Sequence, residues 1–216
     1  EPDTIAWIDD YIKEGDVLFD IGANIGVFSL YAAKTKNARA FAFEPFAGNY
    51  VVLNRNIYLN NLSDRITALN IALHKETTLS HLNVSEFWAG KAGHSFNDPM
   101  GSGGGIFKPK FLQGVIGMSL DDFIETFDAP HPNHIKIDVD GNEKLIIEGM
   151  KKTMADSRLK SVAIEIDNAF GDHLQALEMI KAHGFEVLPD EKYINRAYLA
   201  VRTMQNYFLV RGLPAD

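Results

Sequence analysis

The stretch VLFDIGANIG, residues 17–26, decides the fold of this sequence. Three apolar residues, 17–19, predict a short buried strand, and Gly22 and Gly26 follow it. A glycine-rich turn directly after a buried strand is typical of the first strand–helix connection in a doubly wound α/β sheet. Such sheets bind ligands beyond the carboxyl ends of their strands, where the strand order reverses. The stretch therefore predicts an α/β fold with a ligand site at this turn.

The rest of the chain continues the alternation. An N-terminal helix at about 4–14 precedes the first strand, and the other predicted strands are 40–43, 66–73, 135–139, 162–166, 185–188 and 207–210. Further helices are predicted at 27–34, 49–60, 119–127, 142–154 and 173–183. Short links between strands and helices predict a parallel sheet with right-handed crossovers. We expect a single domain over residues 1–216 with a Rossmann-like, doubly wound seven-stranded sheet, mostly parallel with one antiparallel strand near the C-terminus.

The middle of the chain is different. Residues 78–84 predict an added strand, but residues 85–117 show little periodicity and contain GSGGG at 101–105. Long segments of this kind are often lids. The segment carries five aromatic residues, which are Phe87, Trp88, Phe96, Phe107 and Phe111. Aromatic side chains in a glycine-hinged loop suit a lid over a substrate, and packing on the sheet edge is the equal alternative. We predict an irregular insertion at about 85–117 that acts as a lid.

Composition narrows the function classes. The chain of 216 residues has a net charge of −8, so an electrostatic grip on nucleic acid is not expected. No apolar run is long enough to span a membrane, and the absence of cysteine rules out disulfides and thiolate chemistry. We see no signal peptide and expect a cytoplasmic protein. The sequence begins at Glu1 rather than at methionine, so whether an upstream segment exists stays open, as does the oligomeric state.

Glu44 indicates an adenosine ligand. It ends the second predicted strand, 22 positions after Gly22, where an acid can accept hydrogen bonds from both ribose hydroxyls; a solvated loop acid is the alternative. A dinucleotide turn favours G-x-G-x-x-G, but Asn24 occupies the middle position and Asp20 stands before the first glycine. Aspartate repels pyrophosphate and suits the ammonium group of an amino acid. Adenosine joined to an amino acid is the chemistry of S-adenosylmethionine.

Three motifs together closely resemble the FkbM family of class I methyltransferases. They are DIGANIG (20–26), FEP (43–45) and IKIDVDGNE (135–143), and their order and spacing match over about residues 16–190. The family pattern usually has glutamate at the position of Asp140 and often alanine at that of Asn142. The resemblance implies the class I methyltransferase fold and S-adenosylmethionine as the methyl donor, with S-adenosylhomocysteine as product. It also implies an oxygen acceptor on a sugar, a glycan or a small secondary metabolite.

The resemblance assigns roles by matching position. Asp20, Gly22, Asn24 and Gly26 are expected to line the methionine and ribose side, and Glu44 to hold the ribose hydroxyls. Asn70, Ile71 and Ala72 are expected to flank the adenine, and Asp138 to lie beside the sulfonium.

An alcohol acceptor requires a base, because it is hardly ionised at neutral pH. Asp138 is the first candidate, and His94 in the insertion is the second, with a solvated surface histidine as the alternative. Asp138, Asp167 and Asn168 are also placed like the magnesium ligands of catechol-type methyltransferases. The alternative is that Asp167 and Asn168 cap a helix that begins near Gly171, so a divalent metal stays open.

Two other functions remain open at this point. A nicotinamide-dependent oxidoreductase is compatible with Glu44, although the glycine spacing and Asp20 disfavour it. A domain that binds S-adenosylmethionine without turnover is the other.

Overall fold

The computed structural model describes residues 1–99, 101, 105–189, 193 and 203–212. Its strands are β1 (Val17–Ile21), β2 (Arg39–Phe43), β3 (Ile66–Leu69), β4 (Ala72–Leu73), β5 (Thr78–Val84), β6 (Ser95–Phe96), β7 (Phe111–Met118), β8 (His134–Ile137), β9 (Ser161–Asp167), β10 (Phe185–Val187) and β11 (Met204–Arg211). Its helices are α1 (Pro2–Tyr11), α2 (Val27–Lys36), α3 (Ala47–Leu59), α4 (Leu120–Phe127), α5 (Glu143–Glu148), α6 (Lys151–Ala155) and α7 (Gly171–Ala182). Among the residues that the structure describes, no helix is long and apolar enough to cross a membrane.

The main sheet has seven strands in the order β10-β11-β9-β8-β1-β2-β3. β1 pairs in parallel with β2 on one side and with β8 on the other, so the strand order reverses at β1. β11 runs antiparallel to both of its neighbours. The predicted seven-stranded, mostly parallel sheet with one antiparallel strand near the C-terminus is confirmed. The reversal places a ligand crevice beyond the carboxyl end of β1.

Helices cover both faces of this sheet. On one face Trp7 of α1 and Leu53 of α3 pack in the cluster that contains Leu18 of β1. On the other face Phe123 of α4 packs in the cluster that contains Phe19 of β1. Neighbouring residues of a strand point to opposite faces of the sheet. Because helices cover both faces, every residue of β1 is buried. Burial on both faces explains the continuous apolar run at 17–19.

A second sheet corrects the prediction for the middle of the chain. It has four strands in the order β4-β7-β5-β6, with β7 antiparallel to β5. The predicted irregular insertion at 85–117 therefore contains β6 and most of β7. The predicted strand at 66–73 is divided between the two sheets as β3 and β4. Gly114 and Gly117 interrupt the apolar alternation of β7, and Gly117 leaves room for the Phe96 ring, which a Cβ atom there would approach to 2.4 Å.

The predicted helix at 142–154 is two helices, α5 and α6, which are separated at Gly149. The backbone packs so closely there that a Cβ atom on Gly149 would lie 2.2 Å from the carbonyl oxygen of His74. The N-terminal helix begins at Pro2 and ends at Tyr11, whereas a helix at about 4–14 was predicted. The helix predicted at 119–127 is α4, and Ser119 caps it, because its side chain accepts a hydrogen bond from the backbone N–H of Asp122. Residues 102–104 of the GSGGG segment lie outside the described residues.

Candidate active site

A pocket of about 380 Å³ lies beyond the carboxyl ends of β1, β2 and β8. Gly22 follows β1, Glu44 follows β2 and Asp138 follows β8, and all three line the pocket. Asn24, Ile71, Ala72 and His94 line it as well. The structure thus brings most of the predicted site residues together in one cavity.

Gly22 allows the turn after β1 to approach the end of β8. Its φ of +80° lies in the left-handed region, and a Cβ atom would stand 1.9 Å from the carbonyl oxygen of Asp138. A side chain at Gly22 is therefore excluded twice, by backbone strain and by collision. Gly26 has φ of +88° and a Cβ atom there would lie 2.3 Å from Cδ1 of Leu53. Gly26 does not line the pocket; it packs α2 against α3.

Glu44 is buried and ties the end of β2 to the glycine turn. Its Oε2 accepts a hydrogen bond from the backbone N–H of Asn24 over 2.7 Å, and its Oε1 accepts one from that of Phe46 over 2.8 Å. A carboxylate oxygen can accept more than one hydrogen bond, so Glu44 retains acceptor capacity. Burial raises the pKa of Glu44 to about 7, although these two N–H donors oppose the shift. The Oδ1 atom of Asn24 is buried and has no hydrogen-bond partner among the described residues.

Asp20 does not line the pocket, contrary to its predicted role. It is fully buried, and its Oδ2 accepts hydrogen bonds from Ser29, one from the backbone N–H over 3.2 Å and one from Oγ over 2.7 Å. These bonds place a carboxylate at the N-terminus of α2, where the helix dipole favours negative charge. Burial raises the pKa of Asp20, and the charge of Lys136 opposes the shift. Asp20 therefore fixes the start of α2 beneath the turn.

Asn70 supports the pocket from outside. Its Nδ2 donates hydrogen bonds to the carbonyl oxygens of Glu44 and Pro45, each over 2.8 Å. It does not line the cavity, whereas Ile71 and Ala72 do. Of the three residues predicted to flank an adenine, two line the wall and Asn70 holds the turn that carries Glu44.

The end of β8 holds an ion pair. Asp138 accepts a hydrogen bond from Nζ of the buried Lys136 over 2.7 Å, and the same ammonium lies 4.8 Å from the centroid of the Phe28 ring. Burial opposes the charge of Lys136, but Asp138 and Asp20 raise its pKa above the ordinary value. Glu165 of β9 also lines the pocket, and burial followed by the charge of Asp138 raises its pKa. Sequence reasoning missed Glu165 because it favoured Asp167, two residues later on the same side of the strand.

Asp167 and Asn168 do not cap α7, whose N-cap residue is Phe170 and has no side-chain cap hydrogen bond. Oδ1 of Asp167 accepts a hydrogen bond from the backbone N–H of Ala169 over 2.9 Å, and Oδ1 of Asn168 accepts one from the hydroxyl of Tyr207 over 2.8 Å. Neither residue lines the pocket. Within the described part of the chain, no three histidine or acidic side chains are grouped to hold a metal ion. The predicted alternative of helix capping is wrong, because the Asp167 side chain bonds the backbone N–H of Ala169 before α7 begins.

His94 lies in the pocket wall, whereas a solvated surface position was the alternative to its catalytic role. Its ring packs on that of Phe46, with 4.4 Å between centroids, and its Nδ1 accepts a hydrogen bond from the backbone N–H of Ser85 over 3.3 Å. An acceptor at Nδ1 places the proton of the neutral imidazole on Nε2. Nε2 is buried and has no partner among the residues described. Burial lowers the pKa of His94, and with Nδ1 accepting from Ser85 the neutral ring offers a hydrogen-bond donor at Nε2.

Four aromatic residues of the insertion lie in three different surroundings. Phe46, Phe87 and Phe111 form an edge-to-face row with centroid distances of 5.0 and 5.6 Å. Phe96 is buried and lines the pocket. Trp88 is 72% exposed, which leaves it accessible to a ligand. Phe87 is 58% exposed and Phe111 is 47% exposed, so the ring contacts bury these side chains only in part, and Trp88 is the most exposed of the three.

The sheet order and a pocket at its β1 switch point define the class I methyltransferase fold. A precorrin-6y C5,15-methyltransferase from Geobacter metallireducens has a TM-score of 0.55 at 14% identity, over 97% of this chain and 87% of that one. An rRNA methylase from Streptococcus thermophilus has a TM-score of 0.56 at 10% identity, over 96% of this chain and 93% of that one. Identities this low establish the fold alone.

The family follows from the sequence match. Residues 20–187 match the methyltransferase FkbM domain, and the chain belongs to this family. The hexuronic acid methyltransferase AglP of Haloferax volcanii is 29% identical over 77% of this chain. The 31-O-demethyl-FK506 methyltransferase FkbM of Streptomyces tacrolimicus is 23% identical over 83% of this chain and 76% of its own length. The chain spans 62% of the length of the AglP protein. The predicted family is confirmed, and its class I fold implies S-adenosylmethionine as cofactor.

Proposed function

We propose that this chain transfers a methyl group from S-adenosylmethionine to an oxygen of a sugar, a glycan or a small secondary metabolite. The observation that carries the proposal is the meeting of Gly22, Glu44 and Asp138 in one pocket at the point where the strand order reverses. When bound, S-adenosylmethionine supplies a methyl group that its sulfonium already activates. The protein must therefore hold the cofactor, align the acceptor and accept its proton.

The pocket residues fit this cofactor. The unused acceptor capacity of Glu44 suits the two ribose hydroxyls, and the apolar side chains of Ile71 and Ala72 suit one face of an adenine. The unpartnered Oδ1 of Asn24 offers a further hydrogen-bond acceptor in the wall. In the proposed site Asp20 acts indirectly, by holding the start of α2 behind the turn.

Asp138 is the proposed base. It lines the pocket, and its ion pair with Lys136 holds the carboxylate at the end of β8. A positioned base contributes about 10²–10⁴-fold to the rate. His94 is proposed to donate its Nε2 proton in a hydrogen bond that orients the acceptor, because Nδ1 is already used by Ser85. Alignment of this kind lowers a barrier by up to about 7–11 kcal/mol.

The insertion is proposed to form the acceptor side of the pocket. Lys91, Ala92, His94 and Phe96 all line the cavity. Exposed Trp88 suits stacking on a sugar ring. The printed names of the two relatives concern a hexuronic acid and the macrolide FK506, which supports an oxygen acceptor of this general class. We also propose that residues 1–216 form a single domain in the cytoplasm, without nucleic acid as a partner.

Thermal unfolding of the purified protein tests the cofactor. S-adenosylhomocysteine, S-adenosylmethionine, NAD and NADP are each added at the same excess. A ligand that binds only the folded state at a hundredfold excess over its Kd adds about 2.7 kcal/mol of stability. We expect a clear rise in Tm with the two sulfur ligands alone. A rise with NAD or NADP instead contradicts the proposal.

Transfer of a labelled methyl group tests the reaction. S-adenosylmethionine with a labelled methyl group is incubated with the protein and a panel of uronic acids, their oligosaccharides and macrolide alcohols. Label on an acceptor oxygen supports the proposed chemistry. Binding of S-adenosylhomocysteine with no transfer to any member of the panel supports the alternative of a domain without turnover.

A further inference from the structure

Three polar side chains hold the segment 90–96, which we term the strap, against the loops that carry the cofactor site. Oδ2 of Asp140 accepts hydrogen bonds from the backbone N–H groups of Gly93 over 2.6 Å and His94 over 3.2 Å. Nδ2 of Asn142 lies 3.4 Å from Oγ of Ser95 and 3.4 Å from the carbonyl oxygen of Phe96. The strap is therefore anchored to the loop between β8 and α5.

Asn49 of α3 anchors the other end of the strap. It is buried, its Oδ1 accepts a hydrogen bond from the backbone N–H of Gly90 over 2.7 Å, and its Nδ2 donates one to the carbonyl oxygen of Lys91 over 3.1 Å. α3 begins directly after the Glu44 turn. One anchor thus comes from the loop after β8, and the other comes from the first turn of α3, which follows the turn that carries Glu44.

Asp140 makes the strongest of these contacts. A carboxylate that accepts from two backbone N–H groups forms charge-assisted hydrogen bonds, which are about twice as strong as neutral ones. The contacts of Asn142 are long and contribute less. Burial raises the pKa of Asp140, and the two N–H donors oppose the shift. Two bonds at consecutive residues fix the direction of the backbone where the His94 side chain begins.

The position of the His94 ring depends on this anchor. Gly93 has φ of +86°, so the chain turns directly before His94. The ring then lies between Phe46 and Ser85, with Nε2 unpartnered in the pocket wall. Together, Asp140 and Asn142 contact four consecutive residues of the strap, 93–96.

We propose that Asp140 and Asn142 are positioning residues that hold residues 93–96 as the acceptor-side wall of the pocket, with Asp140 setting the place of the His94 imidazole. The inference rests on the proposed function in one respect, since that function assigns this wall to the acceptor. The contacts themselves do not depend on it.

Asp140→Ala tests the inference without an acceptor. In the intact protein, burial and the charge of Lys91 lower the pKa of His94. Asp140, in the loop after β8, accepts a hydrogen bond from the backbone N–H of His94. NMR titration of the imidazole, assigned with His94→Gln, should show the pKa of His94 rising toward its ordinary value of about 6.5 in the variant. Hydrogen exchange at the amides of Gly93 and His94 should accelerate by about tenfold or more.

Controls separate positioning from general damage. Asp98→Asn removes an exposed acid close to the strap and should leave both readouts unchanged. Asp140→Asn keeps an oxygen acceptor without the charge, so its readouts should fall between those of the intact protein and Asp140→Ala. If Asp140→Ala does not fold, Asn142→Ala is measured instead, with faster exchange expected at Ser95 and Phe96.

Two results would overturn the inference. One is an unchanged His94 titration together with unchanged amide exchange in folded Asp140→Ala. The other is an equal effect in Asp98→Asn. The rise in Tm with S-adenosylhomocysteine is measured on the same samples. Absence of that rise in the intact protein counts against the proposed function alone, because the two strap readouts require no ligand.

Discussion

The carboxylate of Glu44 accepts a hydrogen bond from the backbone N–H of Asn24 over 2.7 Å, which joins the end of β2 to the glycine turn after β1. The two motifs lie on separate elements, and the parallel pairing of β1 with β2 brings their carboxyl ends together. One buried acid therefore both shapes the turn and faces the pocket.

Removal of this acid should weaken cofactor binding. Glu44→Ala deletes the acceptor proposed for the ribose hydroxyls and leaves the N–H groups of Asn24 and Phe46 without their partner. A hydrogen bond to a charged group contributes about 1.5–3 kcal/mol, so affinity for S-adenosylhomocysteine should fall at least about tenfold by calorimetry. Glu76→Ala, an exposed acid outside the pocket, is the matched control. Unchanged affinity in Glu44→Ala means that the ribose binds elsewhere.

Cofactor affinity should also depend on pH. The pKa of Glu44 is about 7 in the free protein, and hydroxyl donors favour its charged form. Below this pKa, binding must first remove a proton, so affinity should rise with pH and level off above it. Between about pH 6 and pH 8 the gain should be about tenfold. Calorimetry on Glu44→Gln checks the cause, because the same slope in that variant assigns it to another group.

Gly22→Ala should destabilise the protein. The new Cβ atom meets the carbonyl oxygen of Asp138 at 1.9 Å, and φ of +80° is strained for alanine. We expect a loss of about 2 kcal/mol or more, seen as a Tm lower by several degrees. Gly171→Ala adds the same methyl group in open space at the start of α7. An equal loss in both variants would contradict the role of close approach at Gly22.

Asp138→Asn should reduce turnover more than binding. Loss of a base lowers the rate by about 10²–10⁴-fold, whereas S-adenosylhomocysteine affinity should change only slightly. Labelled methyl transfer and calorimetry measure the two effects. The substitution also removes the partner of Lys136, so Asp138→Asn combined with Lys136→Met controls for an unpaired buried charge. A parallel loss of turnover and affinity argues against the base role.

A buried network far from the pocket should make stability depend on pH. His134 contacts Asp16 through Nε2 over 3.0 Å and Ser161 through Nδ1 over 2.7 Å. Burial lowers the pKa of His134, although Asp16 opposes the shift. The unfolded chain, with a histidine pKa of about 6.5, therefore takes up the proton first. Stability should be fully present above that pH and decline as the pH falls through the folded pKa.

Urea unfolding at about pH 7 and pH 5 measures this decline. His134→Gln should show a smaller loss of unfolding free energy between the two conditions than the intact protein. His183→Gln changes an exposed histidine and should behave like the intact protein. A pH dependence that survives in His134→Gln assigns the decline to other groups.

The sequence alone was sufficient for the main sheet and for predicting most of the residues that line the pocket of the proposed cofactor site. Each depends on local pattern, because an apolar run, a glycine turn and an acid at a strand end lie within a few residues of one another. Parallel strands then bring their carboxyl ends to one edge of the sheet, so Gly22, Glu44 and Asp138 meet without further information.

The tertiary structure decided the rest. β7 pairs with β5 across an intervening segment, and its glycines hide the alternation that sequence reasoning requires. Asp20 and Glu44 are both acids at strand ends. The Asp20 side chain accepts a hydrogen bond from Ser29, whereas Glu44 lines the pocket. His94 has no distinctive sequence context, and long-range contacts with Asp140 and Phe46 place it in the wall. A pattern formed by residues close together in the sequence can be predicted from the sequence alone. The direction of a single side chain depends on the residues that pack against it, which only the tertiary structure shows.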